Sequence, residues 1–290
     1  MAAAFDRVVD RGWRTYADGR RRVLRRGSAT PALRSLGRPA RNDVEAWNRA
    51  TALQFERYRA EHRPLREPVA IVCVSCRPQL IDAVARNVER QRDVDARLVF
   101  VANHPGFAGL DVSSHFSNLD AVTVLDAEPA VTLGAGLNMA MDATDARFIA
   151  KFDDDDFYGA AFLVDSLRAH SYAGAAIVGK HSYYAELAST QKRYLRFGGH
   201  DFSYSSTLAG GTLVLDRERT SDLRFDDVSL GEDRSFVAKC HRRGLSTFSA
   251  DRFNFVQCRG RDNTWQATDE QFLVGCVEID EASDIHTVER

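Results

Sequence analysis

The chain has 290 residues and 44% of them are hydrophobic, which suits one large α/β domain, or one domain with an extension. A formal net charge of −2 argues against binding of nucleic acid through bulk electrostatics. The five Cys residues are odd in number and widely spread, so they argue against a secreted disulfide framework and favour a cytoplasmic location.

Residues 1–66 differ from the rest and form a predicted Arg-rich helical extension. The stretch RRRVLRR at 20–26 indicates either a solvated helix or tail, or a peripheral contact with acidic lipid at the inner membrane face or with a partner protein. Residues 43–64 predict an amphipathic helix, capped by Asp43 and ended by Pro64, that packs on the main domain. The start lacks the apolar core of a signal peptide, and the absence of any run of about 18 apolar residues predicts no membrane span.

From residue 67 onward, apolar runs alternate with helical patterns. In chain order they predict strand 69–75, helix 78–92, strand 97–103, strand 121–126, helix 134–144 and strand 147–153. Repetition of strand, helix and strand implies a parallel sheet with helices on both faces. Ligands of such sheets bind beyond the carboxyl ends of the strands.

The part that follows is less regular. It contains predicted strands at 175–180 and 210–216, a stretch at 181–209 that is loop-rich or made of short antiparallel pieces, and a helix at 232–244. Acidic residues at the amino end of that helix, and two Arg followed by Gly at its carboxyl end, mark its bounds. The last segment, 261–290, is predicted to be helical.

The sequence KFDDDDFYG, residues 151–159, places four carboxylates at the end of the fourth predicted strand. If the strand persists, Asp153 and Asp155 point to the same side, and two carboxylates ~6 Å apart repel by about 3 kcal/mol at an effective dielectric constant of about 20. A wet surface turn would remove most of this cost. The apolar and aromatic residues on both sides instead favour an enclosed site for Mg²⁺ or Mn²⁺, which takes carboxylate oxygens and shares its shell with water and phosphate.

Several ordered motifs resemble those of family 2 glycosyltransferases, which have the GT-A fold. The similar stretches are 69–91, 122–159 with the acidic run, 210–218 with a Gly-Gly pair, and 225–244 with Gly-Glu-Asp. The resemblance covers residues 68–260 and implies an α/β, Rossmann-like mixed sheet flanked by helices, after the N-terminal helical extension. It divides the main domain, 67–260, into a nucleotide-binding half, 67–156, and an acceptor half, 157–260.

The resemblance also implies roles for individual residues. The family's Asp-x-Asp metal ligands match Asp153 and Asp155, and its general base matches Asp233, with Glu232 beside it as a second catalytic residue. Positions implied to contact the nucleotide-sugar donor are Val74, Ser75, Arg77, Asn103, Asn138, Asp153, Asp154 and Gly211.

Three positions depart from the family pattern. Ala102 and Asn103 stand where many members have Asp-Asp, which affects the choice of nucleobase, and Leu137 precedes Asn138 where many have Arg. The stretch 258–266 has no His to complete the metal shell. Asp262 or Asn263 is the alternative ligand there, or the diphosphate and water fill the shell.

The resemblance therefore implies a metal-dependent, inverting hexosyltransferase that uses Mn²⁺ or Mg²⁺ and a nucleotide-diphosphate sugar. The acceptor hydroxyl would belong to a glycan, a lipid-linked carrier or a small molecule, in the synthesis of a surface polysaccharide, a glycoconjugate or a glycosylated metabolite. One alternative is a nucleotidyl- or sugar-phosphate transferase, although the glycine-rich loop typical of nucleotidyltransferases is missing after the first strand. The other is a non-catalytic GT-A-like binding protein. The sequence CVSC at 73–76 is expected to hold buried, inert thiols rather than a redox or zinc site.

Overall fold

The structure is a computed structural model that describes residues 44–260 and 267–279, with side chains from residue 49 onward. The chain divides into two units, Met1–Ala50 and Thr51–Arg290. Residues 44–50 of the first unit are helical, while both sheets and the candidate site belong to the second. Residues 51–66, which the sequence assigned to the extension, fall in the second unit. The predicted cap Asp43 and the Arg-rich stretch lie outside the described residues.

The helices and strands follow the predicted order through the first half of the main domain. The α-helices are α1 (Val44–Glu61), α2 (Ile81–Glu89), α3 (Leu133–Asp142), α4 (Phe162–Ala173), α5 (Arg217–Thr220), α6 (Glu232–Arg242) and α7 (Asp269–Phe272). The strands are β1 (Val69–Ser75), β2 (Ala96–Ala102), β3 (Val122–Asp126), β4 (Phe148–Lys151), β5 (Phe157–Tyr158), β6 (Ile177–Gly179), β7 (Tyr183–Leu187), β8 (Lys192–Arg196), β9 (Ser203–Tyr204), β10 (Val214–Asp216), β11 (Thr247–Ser249), β12 (Phe255–Arg259) and β13 (Cys276–Ile279).

In the part of the chain that the structure describes, the main sheet has eight strands in the order β3-β2-β1-β4-β10-β6-β11-β9. Strands β1 to β4 run parallel, β10 runs antiparallel to both of its neighbours, and β6 and β11 again run parallel to each other. The carboxyl ends of β1, β2, β4, β6 and β11 therefore share one edge of the sheet. The predicted mixed sheet flanked by helices is confirmed, and this edge is where the fold places a ligand.

Strand β1 is almost entirely buried because helices cover both faces of the sheet. On one face, Ile71 belongs to a core that includes Val84 of α2 and Leu167 of α4. On the other face, Val72 belongs to a core that includes Leu137 of α3 and residues of α6. A strand covered on both sides reads as a continuous apolar run rather than an alternation, as the sequence does here.

A second sheet, in the order β13-β8-β7-β12-β5, contains most of the irregular part of the sequence. Strands β7 and β8 form an antiparallel pair within the stretch 181–209, so the prediction of short antiparallel pieces holds there. The structure describes residues 267–279 of the predicted C-terminal helical segment; in that part only Asp269–Phe272 is an α-helix, and Cys276–Ile279 is a strand that pairs antiparallel with β8. Pairing with the edge of a sheet gives those four residues hydrogen bonds that a local pattern does not reveal.

The second half of α1 packs on the main domain, as predicted. Phe55 contacts Phe253 with 5.0 Å between ring centroids, and Tyr58 stacks on Tyr172 at 4.7 Å. Arg59 also binds the buried carboxylate of Asp165, with a Nη2–Oδ2 distance of 2.7 Å. None of the helices in the described ranges is both long and apolar enough to cross a lipid bilayer.

Candidate active site

The acidic run follows β4 but does not continue the strand. Strand β4 ends at Lys151, and residues 153–156 form a turn before β5 begins. The hydroxyl of Tyr158 anchors this turn, because it accepts a hydrogen bond from the Asp153 backbone N–H (2.8 Å) and donates one to the Gly211 carbonyl (2.6 Å). The strand does not persist through the run, so strand alternation does not set the directions of Asp153 and Asp155, and the hydrogen bonds of Tyr158 hold the turn instead.

The four aspartates, here called the acid cluster (Asp153, Asp154, Asp155 and Asp156), lie in an enclosed place. Asp154 and Asp156 are only 3% and 7% exposed, and the other two are partly buried. Asp156 Oδ1 accepts a hydrogen bond of 2.9 Å from the backbone N–H of Cys258. Such burial excludes the wet surface turn that the sequence left open.

Arg77 holds two neighbouring aspartates of the cluster together. Its Nη1 lies 2.9 Å from Asp155 Oδ2, its Nε donates to Asp154 Oδ2 over 3.1 Å, and its Nη2 contacts Asp154 Oδ1. Ser75 Oγ donates to Asp154 Oδ2 over 2.5 Å. A planar guanidinium suits this role because its donors can reach two carboxylates at once. Ser75 and Arg77, both predicted to contact the donor, thus bind the acid cluster in this structure.

Two further predicted donor contacts, Val74 and Asn103, lie at the carboxyl ends of β1 and β2. The Asn103 side chain donates from Nδ2 to the Val131 carbonyl (2.7 Å), and its Oδ1 is buried without a hydrogen-bond partner in the described ranges. Helix α3 approaches Val74 so closely that a Cβ at Gly136 would lie 2.9 Å from Val74 Cγ1. At the carboxyl ends of β1 and β2, the groups that could bind a donor are therefore backbone atoms and the amide oxygen of Asn103. Positions 102 and 103 are Ala and Asn, so neither provides a carboxylate.

Asn138, the remaining predicted donor contact on α3, uses its side chain to bind backbone groups of the protein. Its Nδ2 donates to the Phe225 carbonyl and its Oδ1 accepts from the Phe225 backbone N–H, both over 3.0 Å. Since both polar atoms bind backbone, Asn138 ties α3 to the segment before α6.

Lys151 is a site residue that the sequence interpretation missed. The side chain is 3% exposed, and its Nζ lies 2.5 Å from Asp153 Oδ1 and 3.8 Å from Glu232 Oε1. Burial alone would lower the pKa of Lys151, but Asp153, Glu232 and Asp233 outweigh it and raise that pKa. A lysine inside the apolar run RFIAKF was the signal, because a buried strand rarely carries a cation without a partner.

The Gly210–Gly211 turn joins the acid cluster to α6. A Cβ at Gly211 would lie 2.7 Å from Asp153 Oδ2 and 3.0 Å from Asp156 Oδ2. A Cβ at Gly210 would overlap Asp233 Oδ2. Gly211 therefore lies against Asp153, the predicted metal ligand, and Gly210 lies against Asp233, the predicted base. The structure thus brings these predicted residues together.

Helix α6 begins directly at the two predicted catalytic acids. Gly231 precedes it with φ +85°, a conformation that favours glycine, and Glu232 and Asp233 form the first turn. Glu232 is buried, and burial together with the nearby Asp233 raises its pKa, while Lys151 opposes that change. The positive end of the helix dipole lies at both carboxylates.

The charges at this edge of the sheet do not balance. Six carboxylates face two cations that bind them directly, Lys151 and Arg77, and a third charge, Arg259, that acts on Asp155 in the described part of the site; the carboxylates belong to Asp153, Asp154, Asp155, Asp156, Glu232 and Asp233. Burial, followed by the neighbouring carboxylates, raises the pKa of Asp156, and burial likewise raises the pKa of Asp155 against the effect of Arg77. An excess of desolvated oxygen ligands is what a hard divalent cation neutralises.

The acid cluster does not form a complete metal cage by itself. Within residues 44–260 and 267–279, no group of three or more His, Cys, Asp or Glu side chains is arranged to hold a metal ion. A cation there would need oxygens from water or a ligand, as Mg²⁺ and Mn²⁺ commonly do. The alternative ligands Asp262 and Asn263 lie outside the described residues.

All five Cys residues are free thiols, in agreement with the absence of a disulfide framework. In CVSC, Cys73 is buried and burial raises the pKa of its thiol, whereas Cys76 is exposed. The expectation that both thiols are buried is therefore wrong for Cys76, because β1 ends at Ser75 and the chain turns out of the sheet.

Comparison with known proteins finds similarity in structure only. No family model and no curated protein matches the chain. Among solved structures, residues 1–349 of S. aureus TarS in complex with UDP-GlcNAc share 13% identity at a TM-score of 0.55, over 72% of this chain and 64% of that one. The mannosyltransferase PcManGT from Pyrobaculum calidifontis, in complex with GDP-Man and Mn²⁺, shares 15% identity at a TM-score of 0.53, over 76% of this chain and 68% of that one.

The chain thus has the mixed α/β fold of glycosyltransferases. It spans 64% of the 1–349 piece of TarS and 37% of a longer TarS chain. At these identities the likeness establishes the fold, and the chemistry has to be argued from the site itself.

Proposed function

We propose that the chain is a metal-dependent, inverting glycosyltransferase that moves a sugar from a nucleotide-diphosphate donor to an acceptor hydroxyl. The observation that carries this proposal is the Gly210–Gly211 turn, which has Asp233 against one glycine and Asp153 against the next. In a direct displacement, the leaving diphosphate and the attacking oxygen lie on opposite sides of one anomeric carbon. The Gly210–Gly211 turn suits that arrangement, because it has the cation ligand Asp153 against Gly211 and the base Asp233 against Gly210.

Asp153 and Asp155 would hold the divalent cation, Mn²⁺ or Mg²⁺, together with water and the diphosphate. When bound, the cation offsets the charge that builds on the diphosphate as the glycosidic bond breaks. The excess of carboxylates over cations supports this assignment. Arg77 keeps the Asp155 carboxylate in place and Tyr158 fixes the turn, so the ligands are oriented before the donor binds.

Asp233 would act as the general base. Its carboxylate accepts the proton of the acceptor hydroxyl while that oxygen attacks the anomeric carbon, and a single displacement inverts the configuration. Asp233 lies in the first turn of α6, at the positive end of the helix dipole. Glu232, the second predicted catalytic residue, is buried against Lys151 and would set the charge around the base.

The donor would lie along the carboxyl ends of β1 and β2. Val74, Ser75 and Asn103 would line the nucleobase end, and Gly211 would lie beside the sugar, next to Asp153. UDP-GlcNAc and GDP-Man, which are bound in the neighbouring structures, are the first donors to test. We also propose membership of family 2 with the GT-A fold, and a hexose as the transferred sugar.

The test is product analysis with purified protein. UDP-GlcNAc, GDP-Man and a wider panel of nucleotide hexoses are incubated with Mn²⁺ and simple saccharide acceptors, with and without EDTA. Release of nucleoside diphosphate that EDTA abolishes is the expected result. Release of sugar 1-phosphate would instead indicate nucleotidyl transfer, release of nucleoside monophosphate would indicate sugar-phosphate transfer, and binding without any cleavage would indicate a non-catalytic protein.

A further inference from the structure

Lys151 lies between the two halves of the proposed site. Its ammonium group is 2.5 Å from Asp153 Oδ1, on the donor side, and 3.8 Å from Glu232 Oε1, at the start of the helix that carries the base. With 3% of its side chain exposed, Lys151 has almost no access to water. The group therefore acts as a fixed positive charge inside the site.

This charge affects a cation and a diphosphate in opposite ways. Lys151 already binds one oxygen of Asp153, so a cation on the same carboxylate must lie close to the ammonium group and is repelled by it. A diphosphate next to that cation is attracted by the same ammonium group. Low exposure makes both effects stronger than they would be at the surface.

We propose that Lys151 is a positioning residue that makes the acid cluster a weak site for a cation alone and a strong site for a cation together with a nucleoside diphosphate. The inference rests on the proposed function and adds to it a residue with no predicted role. Lys151 holds Asp153 and Glu232 at a fixed separation before the donor arrives. It thereby favours joint binding of metal and donor over occupation of the site by free metal.

Lys151→Met tests this with two binding measurements that should move in opposite directions. Mn²⁺ is titrated into the nucleotide-free protein and followed by electron paramagnetic resonance of the unbound ion. UDP or GDP is then titrated by calorimetry at saturating Mn²⁺. We expect Mn²⁺ alone to bind about tenfold more tightly to the variant, and the nucleotide about tenfold more weakly. Loss of structure alone would weaken both.

Lys180→Met is the matched control. Lys180 is also 3% exposed and pairs with a buried carboxylate, Asp251, over 3.1 Å. It packs over Phe162 rather than against the acid cluster. Its loss should lower the melting temperature and leave both binding constants unchanged.

Lys151→Gln provides a second variant if Lys151→Met does not fold, because the amide can still donate to Asp153 but carries no charge. The same pair of opposite shifts is expected from it. Mn²⁺ affinity that falls or stays unchanged in the folded variants overturns the role of Lys151. A wild-type protein that neither binds Mn²⁺ nor releases nucleoside diphosphate overturns the proposed function itself, whereas an active wild type with unshifted variants overturns only this inference.

Discussion

Gly210 and Asp233 are in such close contact that the Cβ which glycine lacks would occupy the space of the Asp233 carboxylate. The backbone at Gly210 does not have a positive φ, so space and not backbone conformation requires glycine there. The atoms closest to that Cβ are Oδ2, Cγ and Cβ of Asp233, which means that the whole side chain would have to rotate away. The glycine therefore fixes where the proposed base points.

Gly210→Ala should slow catalysis without unfolding the protein. The added methyl group displaces the Asp233 carboxylate, and misplacement of a reacting group by about 1 Å can cost on the order of 10²-fold in rate. We expect kcat for donor cleavage to fall by that factor, with the melting temperature nearly unchanged. In the double variant Gly210→Ala/Asp233→Asn, the alanine should cause no further loss of kcat beyond that of Asp233→Asn. If the two losses of kcat instead multiply, Gly210 does not act through Asp233.

Asp233→Asn should remove catalysis and leave donor binding intact. The amide keeps the shape of the side chain but cannot take a proton, and a general base contributes typically about 10²–10⁴-fold. Turnover with Mn²⁺ and calorimetric affinity for the nucleotide are measured side by side. Asp145→Asn is the control, since the Asp145 side chain is 96% exposed. Near-normal turnover of Asp233→Asn would remove it as the base.

Asp155→Asn should abolish metal-dependent nucleotide binding. The substitution removes one anionic ligand and also breaks the 2.9 Å pair with Arg77, so both the charge and the orientation of the cluster change. Calorimetry with UDP or GDP in the presence and absence of Mn²⁺ should show that the metal no longer raises affinity. If Mn²⁺ strengthens nucleotide binding to the variant as much as to the wild type, Asp155 is not a metal ligand. Asp145→Asn again serves as the surface control.

The first half of the main domain could be predicted because its signals are local. Continuous apolar runs revealed β1 and β2, and helical spacing revealed α2 and α3, since each element is covered by the layers next to it. The turn at residues 153–156 could not be predicted this way. Its conformation depends on the Tyr158 hydroxyl and the Gly211 carbonyl, and the second of these comes from a distant part of the chain.

The site was predicted in its residue types more completely than in its contacts. The acidic run and the Gly-Glu-Asp motif were predicted to belong to one site, and the structure places them close together, but their link through Lys151 was not predicted. The motif predicts that the Asn138 side chain contacts the donor, whereas in the structure both of its polar atoms form hydrogen bonds with the backbone of Phe225. Long-range partners of this kind are set by packing, and a single sequence carries no signal for them.

Arg77→Lys should weaken the site although charge is conserved. An ammonium group cannot reproduce the planar fork that binds Asp154 and Asp155 together, and Asp154 is buried, so its carboxylate would lose a partner. We expect a lower melting temperature and Mn²⁺-dependent nucleotide affinity reduced by about 10–100-fold, the range seen when groups that orient metal ligands are changed. Arg97→Lys, at a residue with a side chain 41% exposed, is the control. Equal affinities of Arg77→Lys and wild type would show that the fork is dispensable.

His170 should make the stability of the fold depend on pH below neutrality. Burial lowers the pKa of His170 to about 4 from 6.5, and its Nε2 lies 3.0 Å from the Val214 carbonyl, so the neutral ring donates that hydrogen bond. Because the folded pKa lies below the unfolded one, the contribution is fully present above pH 6.5 and is lost as the pH falls toward 4, by roughly 3 kcal/mol in the free energy of unfolding.

His170→Gln isolates this contribution, since its amide can still donate to Val214 but does not titrate in this range. Denaturant unfolding of both proteins is measured from pH 7 down to pH 4. The wild type should lose stability relative to the variant by about 3 kcal/mol across that interval, while other titrating groups cancel in the difference. A difference that stays constant with pH would mean that the folded protein accepts a proton at His170 as readily as the unfolded chain does.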